Sequence, residues 1–322
     1  MRIGILTFHC ARNYGAVLQC RGLVEVLRSL GHEVHVIDYC PDAVTVPYRL
    51  WKPSFWGHPV SVLKVSMRLA GAWRREKRFR DFCASFDPVP FADLALDSVL
   101  FGSDQIWNPA ITAGDPVYFG AAEVFRGLRK VAYAASSGAA VPDPDMLREK
   151  LRSFHRIGVR EVSLQQTLAK AGIPSVVTLD PVLLAGDLLL EGLDLSCPVS
   201  PGYVFTYEAV DHPDVLKTAR KEAAGKGLKV ISAARTPYGT GRNCYGPEEF
   251  VALIRGAEKV VTTSFHAVAL SILMQKDFVY VQSGSRVDDR TLGLLRELGE
   301  DPVRSLPRLR EASLNFIKEA LS

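Results

Sequence analysis

The sequence lacks the features of secreted, membrane-spanning and zinc-cluster proteins. Its six cysteines are scattered over 322 residues without a C-x-x-C pair, which gives neither a disulfide framework nor zinc-ligand spacing. No apolar run reaches the roughly 18 residues that a membrane helix needs, and the start MRIGILTF lacks the long apolar region of a signal peptide. We therefore expect a cytoplasmic protein with reduced thiols and no metal or other cofactor.

A large excess of charge is also missing. The net charge is only +4, whereas a dedicated nucleic-acid binder shows a concentrated basic face, so no nucleic-acid partner is expected. One predicted helix is locally basic, from Arg68 to Arg80, and lies near Trp56 and Trp73. This run is either a solvated helix face or a surface that rests on anionic lipid, which leaves open a peripheral location at the inner face of the membrane.

The hydrophobic pattern predicts an α/β fold. Short β-branched runs alternate with segments of helical periodicity in both halves of the chain, which favours parallel sheets with helices on both faces. A chain of this length usually forms two domains. We expect one Rossmann-like domain at residues 1–175, a second at 176–308, and a cleft between them. Residues 309–322 form a last helix, and the sequence does not decide whether it packs back on the first domain.

The segment from Thr262 to Ile272 is the most informative of the chain. A strand stops at Ser264, a helix begins at Phe265, and His266 lies in the first helical turn. Ligands of open α/β sheets bind at the carboxyl ends of the strands, and a helix start offers free N–H groups and partial positive charge to an anion. His266 can carry a proton near neutral pH, and at a helix start we expect it to begin neutral. The segment predicts chemistry on a phosphate or carboxylate.

Three arginines are candidate anion ligands. Arg160 ends an apolar run and either clamps an anion with two parallel hydrogen bonds or pairs with Glu161 or another surface acid. From the residues alone, the ion pair is favoured. Arg286 and Arg290 follow the next strand after His266, so parallel pairing brings them to the same sheet edge. A solvated charge at a helix start is the alternative for both, and more so for Arg290.

Two loops of the first half carry polar and aromatic side chains after predicted strands. In the first, Asn13 either bonds hydroxyl groups or caps a helix, Tyr14 follows it, and Gly15 allows the backbone to approach a ligand closely. In the second, Asp104 either orients or deprotonates a sugar hydroxyl or caps a turn. Trp107 either stacks on a sugar ring or lies in the core.

Seven segments, in this order, resemble the polysaccharide pyruvyl transferase family. They cover the chain from its start to about residue 300. Each is weak alone, but their order along the chain is specific. They are NYGAVLQ (13–19), GHEVHVIDY (31–39), FGSDQIWNP (101–109), YAASSG (133–138), GVRE (158–161), LDPVLL (179–184) and TSFHAVALSI (263–272).

The resemblance implies a glycosyltransferase-B-like fold and a reaction. The donor would be phosphoenolpyruvate, and the acceptor a sugar unit, free or lipid-linked, of a cell-surface polysaccharide or its precursor. The product would be a pyruvate ketal, with release of phosphate. A nucleotide-sugar-dependent glycosyltransferase of the same architecture, or a non-catalytic relative, is the alternative.

The resemblance also implies roles for individual residues. Two positions depart from the family pattern, Ala267 where glycine is common and Thr263 where asparagine is common, and both changes would narrow the pocket. The implied roles are catalysis by His266 and Arg160, donor binding by Arg286, and acceptor binding by Asn13 and Asp104. From the residues themselves we add Arg290, Ser264 and Phe265 as donor-binding and Tyr14 and Trp107 as acceptor-binding candidates.

Overall fold

A computed structural model describes residues 1–48, 59–90, 95–140, 142–233 and 245–322, with the backbone alone for residues 59–70. Within these ranges the first half forms a seven-stranded sheet in the order β3-β2-β1-β4-β5-β6-β7, and every paired neighbour is parallel. The strands are β1 (Arg2–Leu6), β2 (Glu33–Asp38), β3 (Val89–Pro90), β4 (Ser98–Phe101), β5 (Arg129–Ala135), β6 (Arg156–Val159) and β7 (Val176–Val177).

The second half forms a smaller parallel sheet in the order β11-β10-β8-β9. β10 and β11 are neighbours, as expected, so the loops that follow them share one sheet edge. The strands are β8 (Tyr203–Tyr207), β9 (Lys229–Ala233), β10 (Lys259–Thr262) and β11 (Phe278–Tyr280).

Helices connect the strands of both sheets. Their apolar faces pack on the sheets, as the periodicity predicts. In the described ranges they are α1 (Tyr14–Ser29), α2 (Asp42–Thr45), α3 (Pro59–Ala84), α4 (Pro109–Thr112), α5 (Pro144–Leu151), α6 (Val162–Lys170), α7 (Pro181–Ala185), α8 (Pro213–Ala224), α9 (Pro247–Gly256), α10 (Phe265–Leu273), α11 (Asp289–Leu298) and α12 (Pro302–Leu321).

The last helix returns to the first sheet. The Leu179 N–H donates to Ser313 Oγ at 3.0 Å, and Arg156 pairs with Glu319 at 2.9 Å. The helix begins at Pro302, seven residues before the predicted start, and contains Pro307 in its second turn. This packing leaves the two sheets joined by both the interdomain segment and α12.

The two halves share one apolar core, and Tyr14 lies at its centre. Tyr14 is fully buried, its ring stacks on Phe250 with centroids 4.2 Å apart, and its hydroxyl donates to the Tyr245 carbonyl at 2.8 Å. The prediction that Tyr14 contacts the acceptor is therefore wrong. Its hydroxyl has a backbone partner in the other domain, so its role is to join the halves.

The basic helix α3 has some side chains that make contacts within the protein and others that are exposed to solvent. Arg75 is buried over the rings of Tyr14 and Phe79, and Arg78 pairs with Glu249 at 2.8 Å, while Trp73 is 61% exposed. Trp56 and the Arg68 side chain lie outside the described residues. Among the helices described, none combines the length and apolarity required to cross a bilayer.

Candidate active site

A cavity of about 270 Å³ opens where the carboxyl ends of the two sheets face each other. This is the predicted cleft, and loops of both domains contribute to it. The β1–α1 loop supplies Phe8, Ala11 and Asn13; the segment after β2 supplies Ala43, Val44, Pro47 and Tyr48; the β4 loop supplies Asp104 and Gln105; the second domain supplies Tyr207, Ala209, Thr263, Ser264, Phe265, His266, Val287, Arg290 and Thr291.

His266 lines this cavity at the start of α10, and its ring packs against the backbone of Gly15. The helix is capped by Ser264, whose Oγ accepts from the Ala267 N–H at 3.3 Å. A Cβ atom at Gly15 would lie 2.0 Å from His266 Nδ1, far inside contact distance. Gly15 thus makes room for the histidine ring of the other domain and not, as the sequence suggested, for a ligand.

Asp180, which the sequence analysis did not single out, lies beside His266. His266 Nε2 is 3.6 Å from Asp180 Oδ2, an ion-pair distance that is long for a hydrogen bond. Burial opposes the charge of Asp180, but His266, Arg160 and the Val182 N–H outweigh it and hold the pKa of this carboxyl well below its usual range. The sequence indicates only the helix start around His266; the structure also places the buried Asp180 carboxylate beside the ring.

Arg160 lies beneath the cavity, and two carboxylates compensate its charge. It donates from Nη1 to Asp180 Oδ2 at 2.7 Å and from Nη2 to Asp104 Oδ1 at 3.2 Å, and its side chain is 2% exposed. The ion pair favoured by the sequence is therefore present, but its partners are two buried acids and not Glu161. Glu161 instead accepts from Ser136 Oγ and the Ser137 N–H. A direct clamp on the donor is absent from this geometry, so Arg160 can act through its two carboxylates.

Arg290 is the cation that faces the cavity. It is 8% exposed, and its guanidinium carbon is 5.9 Å from the centroid of the Phe265 ring, against which Arg160 also lies at 5.1 Å. No carboxylate of the described chain lies within 4.0 Å of the Arg290 guanidinium, and its Nε has no hydrogen-bond partner there. Burial and the nearby Arg160 lower the pKa of Arg290, and the carboxylates of Glu161, Asp104 and Asp180 offset this only in part. An anion bound in the cavity would therefore stabilise the Arg290 charge further.

Arg286, in contrast, is exposed and does not line the cavity. It starts a short 3-10 turn capped by Ser285, and the turn from Arg286 to Arg290 carries only the latter inward. The sequence favours Arg286 over Arg290 as an anion ligand. The structure reverses this preference, because of the two arginines only Arg290 lines the cavity. The strand order was predicted correctly, but the orientation of each side chain depends on the helical turn after β11.

On the acceptor side, Asp104 and Asn13 line the cavity. Asp104 adopts a left-handed backbone with φ 77°, which is uncommon for a residue other than glycine and is concentrated at functional sites. Asn13 both lines the cavity and caps α1, since its Oδ1 accepts from the Ala16 N–H at 3.2 Å. Both of the roles considered for Asn13 are therefore compatible with one position.

Trp107 does not reach the cavity, and the prediction that it stacks on a sugar is wrong. The side chain is 2% exposed, stacks on Phe119 and donates from Nε1 to the Tyr118 carbonyl at 3.1 Å. Tyr48 and Tyr207 supply aromatic surface in the cavity instead. Tyr48 lies in the segment after β2, and Tyr207 is the last residue of β8. Neither segment shows a sequence pattern that is typical of a binding site.

A second group of reactive side chains lies where the ends of β1 and β2 meet. One ligand atom each of His9, Cys10 and Cys40 lies within 4.8 Å of the others. The expectation that the chain holds no His/Cys cluster is therefore wrong. The three residues are 31 positions apart at most, and parallel pairing of β1 with β2 brings them together.

Comparison with known proteins agrees with this architecture. The family model of polysaccharide pyruvyl transferases matches residues 13–285, which is most of the chain. The UDP-GlcNAc 2-epimerase from Neisseria meningitidis, solved with UDP-GlcNAc bound, is 12% identical with a TM-score of 0.50, and the alignment covers 100% of this chain and 99% of that one. The UDP-N-acetylglucosamine 2-epimerase from Rickettsia bellii is 9% identical with a TM-score of 0.49, over 99% and 96%. The likeness to the Neisseria protein shows the fold, a glycosyltransferase-B-like one. No curated protein matches the chain.

Proposed function

The chain belongs to the polysaccharide pyruvyl transferase family, and we propose that it moves the pyruvyl group of phosphoenolpyruvate to a sugar of a cell-surface polysaccharide or its precursor, forming a ketal. The observation that carries this proposal is the buried Arg290 at the start of α11, which lines the interdomain cavity and has no direct ion pair among the described residues. Such a site favours a small, multiply charged anion. A neutral sugar alone would leave the Arg290 charge without a partner.

The donor is held by Arg290 and the first turn of α10. The guanidinium offers two parallel N–H donors to a carboxylate or phosphate, and the Ser264–Phe265 backbone adds the partial positive charge of the helix start. Phe265 separates Arg290 from Arg160, with both cations against its ring. This geometry keeps one guanidinium free for the donor while the other remains bound to its acids.

His266 is the proposed proton carrier. The methylene carbon of phosphoenolpyruvate gains a proton, which makes the adjacent carbon electrophilic. A sugar hydroxyl forms a C–O bond there and loses its proton, the C–O bond to phosphate breaks, and a second hydroxyl closes the ketal and loses its own. One proton ends on the new methyl group and the other on phosphate. Asp180 Oδ2 lies 3.6 Å from His266 Nε2 and faces the ring during these transfers.

The acceptor binds on the first-domain side. Asp104 can accept a hydrogen bond from a sugar hydroxyl, and Asn13 lines the same cavity from the β1–α1 loop. Tyr48 and Tyr207 offer aromatic faces to the sugar ring. Arg160 is a positioning residue in this proposal, because its ion pairs fix both Asp104 on the acceptor side and Asp180 behind His266.

The proposed chemistry uses no metal. Asp104 and His266 are the only carboxylate or imidazole side chains among the described lining residues, whereas a protein-bound catalytic ion usually has three protein ligands. We expect turnover to need no added Mg²⁺ and to be unchanged by a chelator too weak to remove a tightly bound structural ion. A loss of turnover that added Mg²⁺ restores would contradict this part of the proposal.

The test is release of phosphate from phosphoenolpyruvate in the presence of a sugar-lipid pool, with mass spectrometry of the product. The proposal predicts phosphate release that depends on the acceptor and a product heavier by pyruvate minus water. Thermal shifts separate the glycosyltransferase alternative, because phosphoenolpyruvate should raise the melting temperature whereas UDP should not. Stabilisation by UDP alone, with no phosphate release, would overturn the proposal.

A further inference from the structure

Four side chains with metal-binding atoms converge at the ends of β1 and β2, outside the cavity lining. His9 Nε2 lies 3.2 Å from Asp38 Oδ1 and 3.6 Å from Cys40 Sγ, and Cys40 Sγ lies 3.3 Å from Asp38 Oδ1. Cys10 Sγ lies within 4.8 Å of the His9 and Cys40 ligand atoms. We propose that these four residues form a structural zinc site.

The distances match those that a bound zinc ion imposes. Zinc bonds of about 2.0 Å to oxygen or nitrogen and about 2.3 Å to sulfur place tetrahedral ligands roughly 3.3–3.8 Å apart. The three separations among His9, Asp38 and Cys40 are 3.2, 3.3 and 3.6 Å. One ion can therefore contact these three atoms without movement of the backbone. Cys10 Sγ, within 4.8 Å of the His9 and Cys40 ligand atoms, can supply the fourth bond from the facing loop after a side-chain movement.

The histidine is oriented for metal binding. His9 is 2% exposed, and its Nδ1 lies 3.4 Å from the Thr7 carbonyl oxygen. A proton on Nδ1 leaves the lone pair of Nε2 directed at Asp38 and Cys40. In metal sites, a ligating histidine almost always donates its second N–H in this way.

The composition of the site favours zinc in a structural role. Two thiols with one imidazole and one carboxylate suit a borderline-soft ion, and four protein ligands leave no open position for a substrate. Cys40 is exposed and the Asp38 side chain is 53% exposed, so the ion has a path from solvent. The inference does not depend on the reaction proposed above.

The ion would connect the two loops that form one wall of the cavity. His9 and Cys10 precede Ala11 and Asn13, and Cys40 precedes Ala43 and Val44, all four of which line the cavity. Outside the β1–β2 ladder, these loops are linked near the cluster by contacts such as that from Cys10 Sγ to the Tyr39 carbonyl at 3.8 Å. Zinc would therefore stabilise the acceptor side of the cavity from behind.

The test is cobalt binding by the full-length protein, stripped of metal and kept reduced with a phosphine. We expect one Co²⁺ per chain, a thiolate-to-cobalt charge-transfer band, and displacement of the cobalt by Zn²⁺. Cys10→Ser and Cys40→Ser should each weaken binding at least about tenfold. Cys197→Ser is the matched control, because this thiol is also exposed but belongs to the second half of the chain.

A second measurement covers the case in which the serine variants do not fold. Asp38→Asn changes one oxygen of a half-exposed side chain, and it should abolish the rise in melting temperature that Zn²⁺ gives the unmodified protein. The proposal is overturned if the unmodified protein shows no charge-transfer band. It is also overturned if all of the cysteine variants bind cobalt equally well.

Discussion

Arg160 and Arg290 lie against the same phenylalanine ring, yet their surroundings differ. Arg160 is paired with Asp104 and Asp180, whereas Arg290 has no acid partner among the described residues. A compensated buried cation fixes the side chains around it, and an uncompensated one needs a ligand. The comparison therefore assigns positioning to the first arginine and anion binding to the second.

The largest effect should come from His266, which lies beside the Asp180 carboxylate that is paired with Arg160. His266→Ala removes the proposed proton carrier, and we expect turnover to fall by about 10²–10⁴-fold with little loss of stability. His155→Ala is the control, since this histidine is exposed and does not line the cavity. Phosphate-release assays and thermal melts of both variants check this. Unchanged turnover in His266→Ala would remove the histidine from the mechanism.

The two arginines should differ in their effects on stability. Arg160→Ala leaves two buried carboxylates unpaired, so we expect the free energy of unfolding to fall by about 3–5 kcal/mol. Arg290→Ala removes a charge that has no partner, and stability should change little or rise. Denaturant titration of both variants checks the difference. Equal destabilisation would show that the surroundings of the two cations are energetically alike.

A smaller effect is expected from a substitution at Gly15, whose backbone packs against the His266 ring. Gly15→Ala places a methyl group on the His266 ring, and the displaced ring should lower turnover by about ten- to a hundredfold. The fold should survive, because alanine is favourable in a helix. Gly225→Ala, where a methyl group meets open space, is the control for assays of both turnover and melting. Wild-type turnover in Gly15→Ala would contradict the close contact.

The smallest effect concerns pH. Because the pKa of Asp180 is lowered in the folded protein, the carboxylate binds fewer protons there than in the unfolded chain between the two pKa values. Its contribution to stability is complete above the usual Asp pKa of about 4 and is lost as the pH falls through the folded value. Asp180→Asn should flatten the acid side of a stability-against-pH curve. An unchanged acid slope would contradict this assignment.

Much of the fold could be predicted from periodicity. The four strands of the second sheet and the helix at Phe265 follow from β-branched runs and 3.6-residue spacing. The edge strands β3 and β7 could not be predicted, because two-residue strands show no alternation. The early start of α12 was hidden by Pro307, which usually marks a helix end but is tolerated near its start.

The sequence predicted which segments contribute to the candidate site, but not which of their side chains face the cavity. The junction at Ser264–His266 and the loop at Asp104 were correctly placed in the cavity, because strand ends of parallel sheets meet at one edge. Which side chain of a loop turns inward could not be predicted, and this explains the errors at Arg286, Trp107 and Tyr14. Asp180 was missed because it contacts His266 only through tertiary packing across the domain boundary.

The most direct test of the account is calorimetric binding of phosphoenolpyruvate to the unmodified protein, Arg290→Ala and Arg286→Ala. The two variants remove the same charge four residues apart, one inside the cavity and one at the surface. We predict that Arg290→Ala weakens binding by about ten- to a hundredfold, the value of hydrogen bonds to a charged group, and that Arg286→Ala changes it less than about twofold, as expected for an exposed charge. Equal weakening in both variants, or none in Arg290→Ala, would contradict the claim that the uncompensated arginine holds the donor.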